Sequence, residues 1–173
     1  MTNQIANTII FKGEIFNLID VDGPRLFHPT ELGMTPVKFS TSCNAGFYCT
    51  FELLEKELLL RQLTLREKND DYVSIQGVPP TLERYARCYE NLSLNIPYSG
   101  KIRIVHDFIQ KHGIHATSQI RGSYDIVLDI KLEKGKIICI TERSKDMKGP
   151  HTSVQDDAEA CIEETLMHAS HLN

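Results

Sequence analysis

Cys43 lies in the most unusual local string of the sequence, Ser40-Thr41-Ser42-Cys43-Asn44-Ala45-Gly46. A cysteine with small residues behind it suits nucleophilic attack, the following amides supplying an oxyanion hole. That chemistry needs a base, and no histidine is near in sequence, so the fold would have to bring in His28 or His106. The simpler reading makes the string a polar connection into a strand at Phe47, with Cys43 a small buried hydrophobe.

Glu142 and His106 raise a different chemistry, because each falls in an otherwise apolar column of an alternating strand. A carboxylate or imidazole turned into a core must be paired or wet. In a barrel wide enough to hold a cavity, such residues face a ligand. The candidate ligand site is therefore Glu142 and His106, with Arg121 and Tyr124 as companions. Metal chemistry has weaker grounds. His106, His112 and His115 match no standard ligand spacing, and the separation of Cys43 from Cys49 is not that of a zinc knuckle. His168 and His171 near a helix end suit the negative pole of its dipole. Asp20-Val21-Asp22-Gly23 lacks the later acidic ligand of a calcium loop. No metal and no cofactor are expected.

These residues must be placed mainly by strands. Even positions from Tyr124 to Leu132 are Tyr124, Ile126, Leu128, Ile130 and Leu132, against Asp125, Val127, Asp129 and Lys131. Side chains alternate faces along a strand, so this is one apolar and one largely polar face. The turn Glu133-Lys134-Gly135 leads into a partner strand. Lysine is a poor first residue for a type I′ turn, so the sequence favours a type I turn with Gly135 in a left-handed bulge. That choice puts Ile138 opposite Ile130, Ile140 opposite Leu128, and Glu142 inward opposite Ile126.

Residues 8–21 read as strands broken near Lys12-Gly13, and residues 25–36 as loop. Residues 37–41 and 72–78 read as short strands. Residues 47–54 and 57–65 form a second hairpin; its second arm carries leucine on both faces, which suits a covered position in mid-sheet. Thr81 suits the cap of a short helix through Tyr89. Strands at 92–96 and 101–108 flank Pro97-Tyr98-Ser99-Gly100, and residues 110–122 read as loop. Beyond Gly149-Pro150 the period becomes helical, with Val154, Ala158, Cys161, Ile162, Thr165, Leu166, Ala169 and Leu172 on one stripe. The expected fold is mainly β: an antiparallel, strongly curved sheet or barrel of about nine strands with a C-terminal α-helix. It is one domain, an antiparallel β body over 1–150 and a helix over 151–173.

Composition narrows the function classes. The chain has 173 residues, 41% hydrophobic and 24% charged, with a net charge of −4. That is ordinary globular composition with no global attraction to phosphate backbones, so nucleic-acid binding is disfavoured. No apolar run is long enough to span a bilayer as a helix, and the N-terminus lacks the pattern of a secretory signal. The five widely spaced cysteines read as reduced thiols of a cytoplasmic protein.

The string from Ser40 through Cys49-Thr50-Phe51-Glu52-Leu53 leads on to Leu58-Leu59-Leu60, the Ser99-Gly100-Lys101-Ile102 turn and the hairpin at 124–140. This pattern resembles a loose family of small uncharacterised bacterial proteins with a Ser-Thr segment, a Gly-aromatic pair and an aromatic-Glu strand. It differs in having Asn44-Ala45 before the glycine and Phe51 in place of Trp. The resemblance spans about residues 9–143 and implies a bacterial cytoplasmic setting but no activity. The expected function is a non-enzymatic binding module for a small ligand or a protein partner; the alternative is a hydrolase using Cys43.

Overall fold

Tight turns set the framework. Lys12-Gly13 (φ 52° and 78°), Glu55-Lys56 (50° and 68°) and Lys134-Gly135 (50° and 80°) each carry two consecutive left-handed residues between strands. That backbone is the type I′ hairpin turn, whose twist matches the strands it joins. The computed structural model describes residues 3–106 and 126–143. Its strands are β1 (Thr8–Phe11), β2 (Glu14–Asp22), β3 (Phe47–Leu54), β4 (Glu57–Leu65), β5 (Thr81–Glu83), β6 (Ala86–Tyr89), β7 (Leu94–Asn95), β8 (Gly100–His106), β9 (Ile126–Glu133) and β10 (Lys136–Glu142).

Neighbouring strands run β10-β9-β8-β2-β1-β3-β4, and β10 meets β4 again, so these seven strands close into a barrel. β6 and β7 extend β4 outside the ring, and β5 extends β6. The sheet is mixed, because β1 lies parallel to β3 while its other ladder, to β2, is antiparallel. The fully antiparallel sheet expected from short connections is corrected here: β2 continues into the 24-residue-scale excursion 23–46 instead of a hairpin, and that length permits a parallel neighbour.

Three bulges bend the sheet. Ile19 is the extra residue between the Leu18–Ile104 and Asp20–Arg103 pairs, Arg61 between Thr50–Gln62 and Phe51–Leu60, and Ile138 between Ile137–Leu132 and Cys139–Lys131. Each reverses the alternation of its strand. The leucines of β4 show the consequence: Leu58 and Leu60 before the bulge and Leu63 and Leu65 after it all enter the core. Inner residues of the other strands, among them Ile9, Phe51, Ile102, Ile104, Ile130 and Leu132, fill the barrel with side chains.

The turn of the last hairpin corrects the expected register. Leu132 sits opposite Ile137, Ile140 opposite Ile130 and Glu142 opposite Leu128. Ile138, expected against Ile130, is the bulged residue and is 53% exposed. Barrel closure explains the choice of turn. Gly135 donates its N–H to the Tyr98 carbonyl at 2.7 Å and accepts from Leu58 N at 2.8 Å, while Ile137 N donates to the Lys56 carbonyl at 2.8 Å. Those seam bonds hold Lys134 in a conformation it would otherwise avoid. Glycine is required at 135 twice over, by its φ of +80° and because a Cβ there would meet the Ile96 carbonyl oxygen.

Other expectations change too. Residues 81–89 form the β5–β6 hairpin, not a helix: Leu82 and Tyr85 of the supposed helical stripe are 71% and 69% exposed, and Tyr89 and Cys88 pair with β4. In and beside 37–41 and 72–78 the described residues form only the isolated bridges Pro36–Glu67, Ser40–Cys43 and Ile75–Val78. The expected loop at 110–122 and helix at 153–172 lie outside the described residues.

Residues 23–46 cross one end of the barrel, from the end of β2 to the start of β3. Leu26, Phe27 and Met34 of this crossing are buried in the core, so it plugs that end. Within it a short 3-10 turn, Pro29–Leu32, is capped by His28: the ring accepts from Thr30 N, and Glu31 accepts from His28 N at 2.8 Å.

Candidate functional site

A groove of about 540 Å³ opens at the plugged end of the barrel. Its floor is apolar. β2 contributes Leu18 and Val21, whose positions either side of the Ile19 bulge turn both toward the interior. The crossing segment contributes Leu26 and Phe27, and the entry to β3 contributes Ala45 and Phe47. The rim carries Asn7, Arg25 and His28.

Asn7 and His28 are each held from behind by a contact that leaves a donor over. Asn7 Oδ1 accepts from Cys49 N at 2.8 Å, while Leu18 N donates to the Asn7 carbonyl at 2.9 Å. No partner for Asn7 Nδ2 exists among the described residues. The His28 ring meets the edge of Phe47, centroids 5.0 Å apart at 84°. Its Nδ1 lies 2.8 Å from Thr30 Oγ1 and 3.3 Å from Thr30 N. Because Nδ1 is the acceptor, the neutral ring carries its proton on Nε2, which is then a donor. Burial holds the His28 pKa below its ordinary value, nearby Arg25 adds to this, and Glu31 opposes it. Arg25 is exposed and forms no ion pair among the described residues.

Of the four residues of the site expected from sequence, His106 and Glu142 fall among the described residues, on strands that are not neighbours. His106 is buried at the end of β8, opposite Ile126, its ring 5.3 Å from Phe16 and its Nε2 3.6 Å from a Glu14 carboxylate oxygen. Glu142 is exposed on β10 opposite Leu128, with β9 between it and β8. The pairing expected with Ile126 is corrected: the turn and the bulge at Ile138 set Glu142 in the same inward-facing row as Leu128, where the end of the strand leaves it exposed. Arg121 and Tyr124 lie outside the described residues. The groove lies toward the other end of β2 from Glu14, at residues sequence reasoning did not select. His28 drew notice only as a base for Cys43, and no periodicity in 25–36 pointed any side chain at a site.

Cys43 is set up as a structural thiol. It is buried, its Sγ donates to the Phe47 carbonyl at 3.6 Å, and burial pushes its pKa up despite hydrogen bonds to the Gly46 and Phe47 backbone. A nucleophilic cysteine requires the opposite shift. The surrounding string is a pinned turn: Ile5 N donates to Ser42 O at 2.7 Å and Asn44 N to Gln4 Oε1 at 2.9 Å. Gly46 has a φ of +78°, and a Cβ there would lie 2.6 Å from the Val37 backbone.

Two further polar centres are fully engaged. Asp129 is buried on the face opposite Ile130, bound by Arg103 at 2.6 and 2.8 Å, with Arg143 at 3.6 Å. The Arg103 hydrogen bonds hold its carboxyl below the usual range, against the opposing effect of burial. Glu67 staples the loop after β4. Desolvation raises its pKa, but backbone N–H groups including those of Asp71, Asn69 and Thr35 outweigh it and hold the carboxylate charged.

No known family matches the chain, and neither the curated proteins nor the solved structures contain a match. Among the described residues no group of three His, Cys, Asp or Glu is placed to hold a metal, and no helix is long and apolar enough to cross a membrane.

Proposed function

We propose that the protein is a non-enzymatic binding module that holds a small molecule in the groove at the plugged end of its barrel. The observation that carries this is the groove itself: an apolar floor beneath a few polar groups, which is the common form of a small-molecule site. The barrel interior is filled with side chains, so a ligand belongs at the mouth and not in the lumen. The buried, protonated Cys43 weighs against the hydrolase reading. The free thiols Cys43, Cys49, Cys88 and Cys139 agree with a cytoplasmic setting.

A neutral apolar dye tests the groove without presuming a head group. Nile red should show saturable, single-site fluorescence enhancement with the full chain. Ala45→Trp, which fills the groove from an exposed position, should abolish it while leaving the melting temperature unchanged. Absence of binding, or undiminished binding by the variant, would defeat the reading.

A further inference from the structure

The rim of the groove is uniform in hydrogen-bond character. Arg25 presents a guanidinium without an ion-pair partner among the described residues. Asn7 has its oxygen occupied by Cys49 N, leaving its amide donor. His28 has its acceptor nitrogen occupied by Thr30, leaving Nε2–H. Donors gather here, and the side-chain acceptors beside them are already in use. A donor-only rim with one fixed positive charge complements an acceptor-only, negatively charged group.

We propose that the groove takes an organic anion with an apolar body, its acidic head seated among Arg25, His28 and Asn7 and its body on Leu18, Val21 and Phe47. The inference rests on the groove being a ligand site and names the class of ligand it takes. A carboxylate or sulfonate has the lone pairs to accept from all three groups, and a planar guanidinium suits either.

The same geometry couples binding to a proton. In the free protein Arg25, which lines the same groove, acts on the His28 ring as a like charge, and Glu31, whose carboxylate already accepts from His28 N, is the opposing charge. The other described residues around the ring are Thr30 and Phe47, which do not alter its charge in this range. An anion between Arg25 and His28 removes the repulsion and favours imidazolium. Thr30 Oγ1 can then accept from the protonated Nδ1, so the ring keeps a partner in both states. Binding therefore takes up a fraction of a proton near the ordinary histidine range and strengthens as pH falls through it.

Calorimetric titration of the full chain with 1-naphthaleneacetate and with its neutral amide separates the possibilities. The acid should bind roughly tenfold or more tightly than the amide, as for a charge-assisted hydrogen-bonded pair. Arg25→Gln should erase the preference with no change in melting temperature. Repeating the acid titration near pH 6.5 in buffers of different ionisation heat should reveal proton uptake that His28→Gln removes. Equal binding of acid and amide, with Nile red still bound, would overturn the anion assignment and leave the groove reading standing. Failure of both compounds and of Nile red would overturn the two together. A preference for the acid that survives Arg25→Gln would likewise sink the assigned seat.

Discussion

Arg103 and Arg25 carry the same guanidinium into opposite circumstances. Arg103 lies mid-strand on β8, directly across from Asp129 on β9, and closes two hydrogen bonds on a buried carboxylate. Arg25 lies in the crossing segment at the barrel mouth, exposed, beside a histidine that is a like charge when protonated. The ladder sets the first pair: antiparallel register brings the two side chains together whatever else the protein does. Nothing of that kind fixes the second. The barrel satisfies every buried side-chain N and O among its described residues yet leaves a set of donors at one mouth, and on the proposed reading these are what it offers to a ligand.

That contrast can be broken by mutation. Asp129→Ala should have the largest effect on folding, about 1–3 kcal/mol by urea denaturation, the upper values expected of fully buried pairs being softened because water can reach part of Arg103. A loss within error would mean the pair contributes no more than a surface salt bridge. Acid should act on the same carboxylate. Its folded pKa lies below that of the unfolded chain, so its contribution is fully present above about pH 4 and is lost as pH falls through the folded value. The loss of stability between pH 7 and pH 3 should be smaller in Asp129→Asn than in the parent, and equal slopes would remove Asp129 from the account. His28→Ala should cost about 1 kcal/mol, the scale of a lost cap, although the cap serves only a short 3-10 turn. Arg25→Ala should come last, within about 0.5 kcal/mol of the parent, as for surface positions without partners. If thermal melting shows Arg25→Ala to be as damaging as Asp129→Ala, the rim is structural and the contrast collapses.

The fold was more legible than the site. Alternation in residues 126–132 and the breaks at Lys12-Gly13 and Glu55-Lys56 are local signals, and the structure places strands and turns there. Leucine on both parities of β4 was legible as a covered strand, but its cause, the Arg61 bulge, was not, because a bulge is defined only against a partner. At Lys134-Gly135 local preference pointed to the wrong turn. The bonds of Gly135 to Tyr98 and Leu58 come from residues far away in sequence, and they outweigh the reluctance of one lysine to adopt positive φ. That choice, with the bulge at Ile138, moved Glu142 from Ile126 to Leu128 on the same face of the sheet.

The sequence by itself determined a β protein with these hairpins, since period, turn residues and apolar faces are properties of neighbouring positions. Only the tertiary structure decided that β1 runs parallel to β3, that β10 returns to β4, and that residues 23–46 close one end. Those are relations between distant segments, fixed by which carbonyls and N–H groups remain to be paired once the hairpins have formed. The groove is a product of that closure. Asn7, Arg25 and His28 belong to segments with no periodicity of their own, and they share a rim because the crossing chain must pass over the barrel mouth.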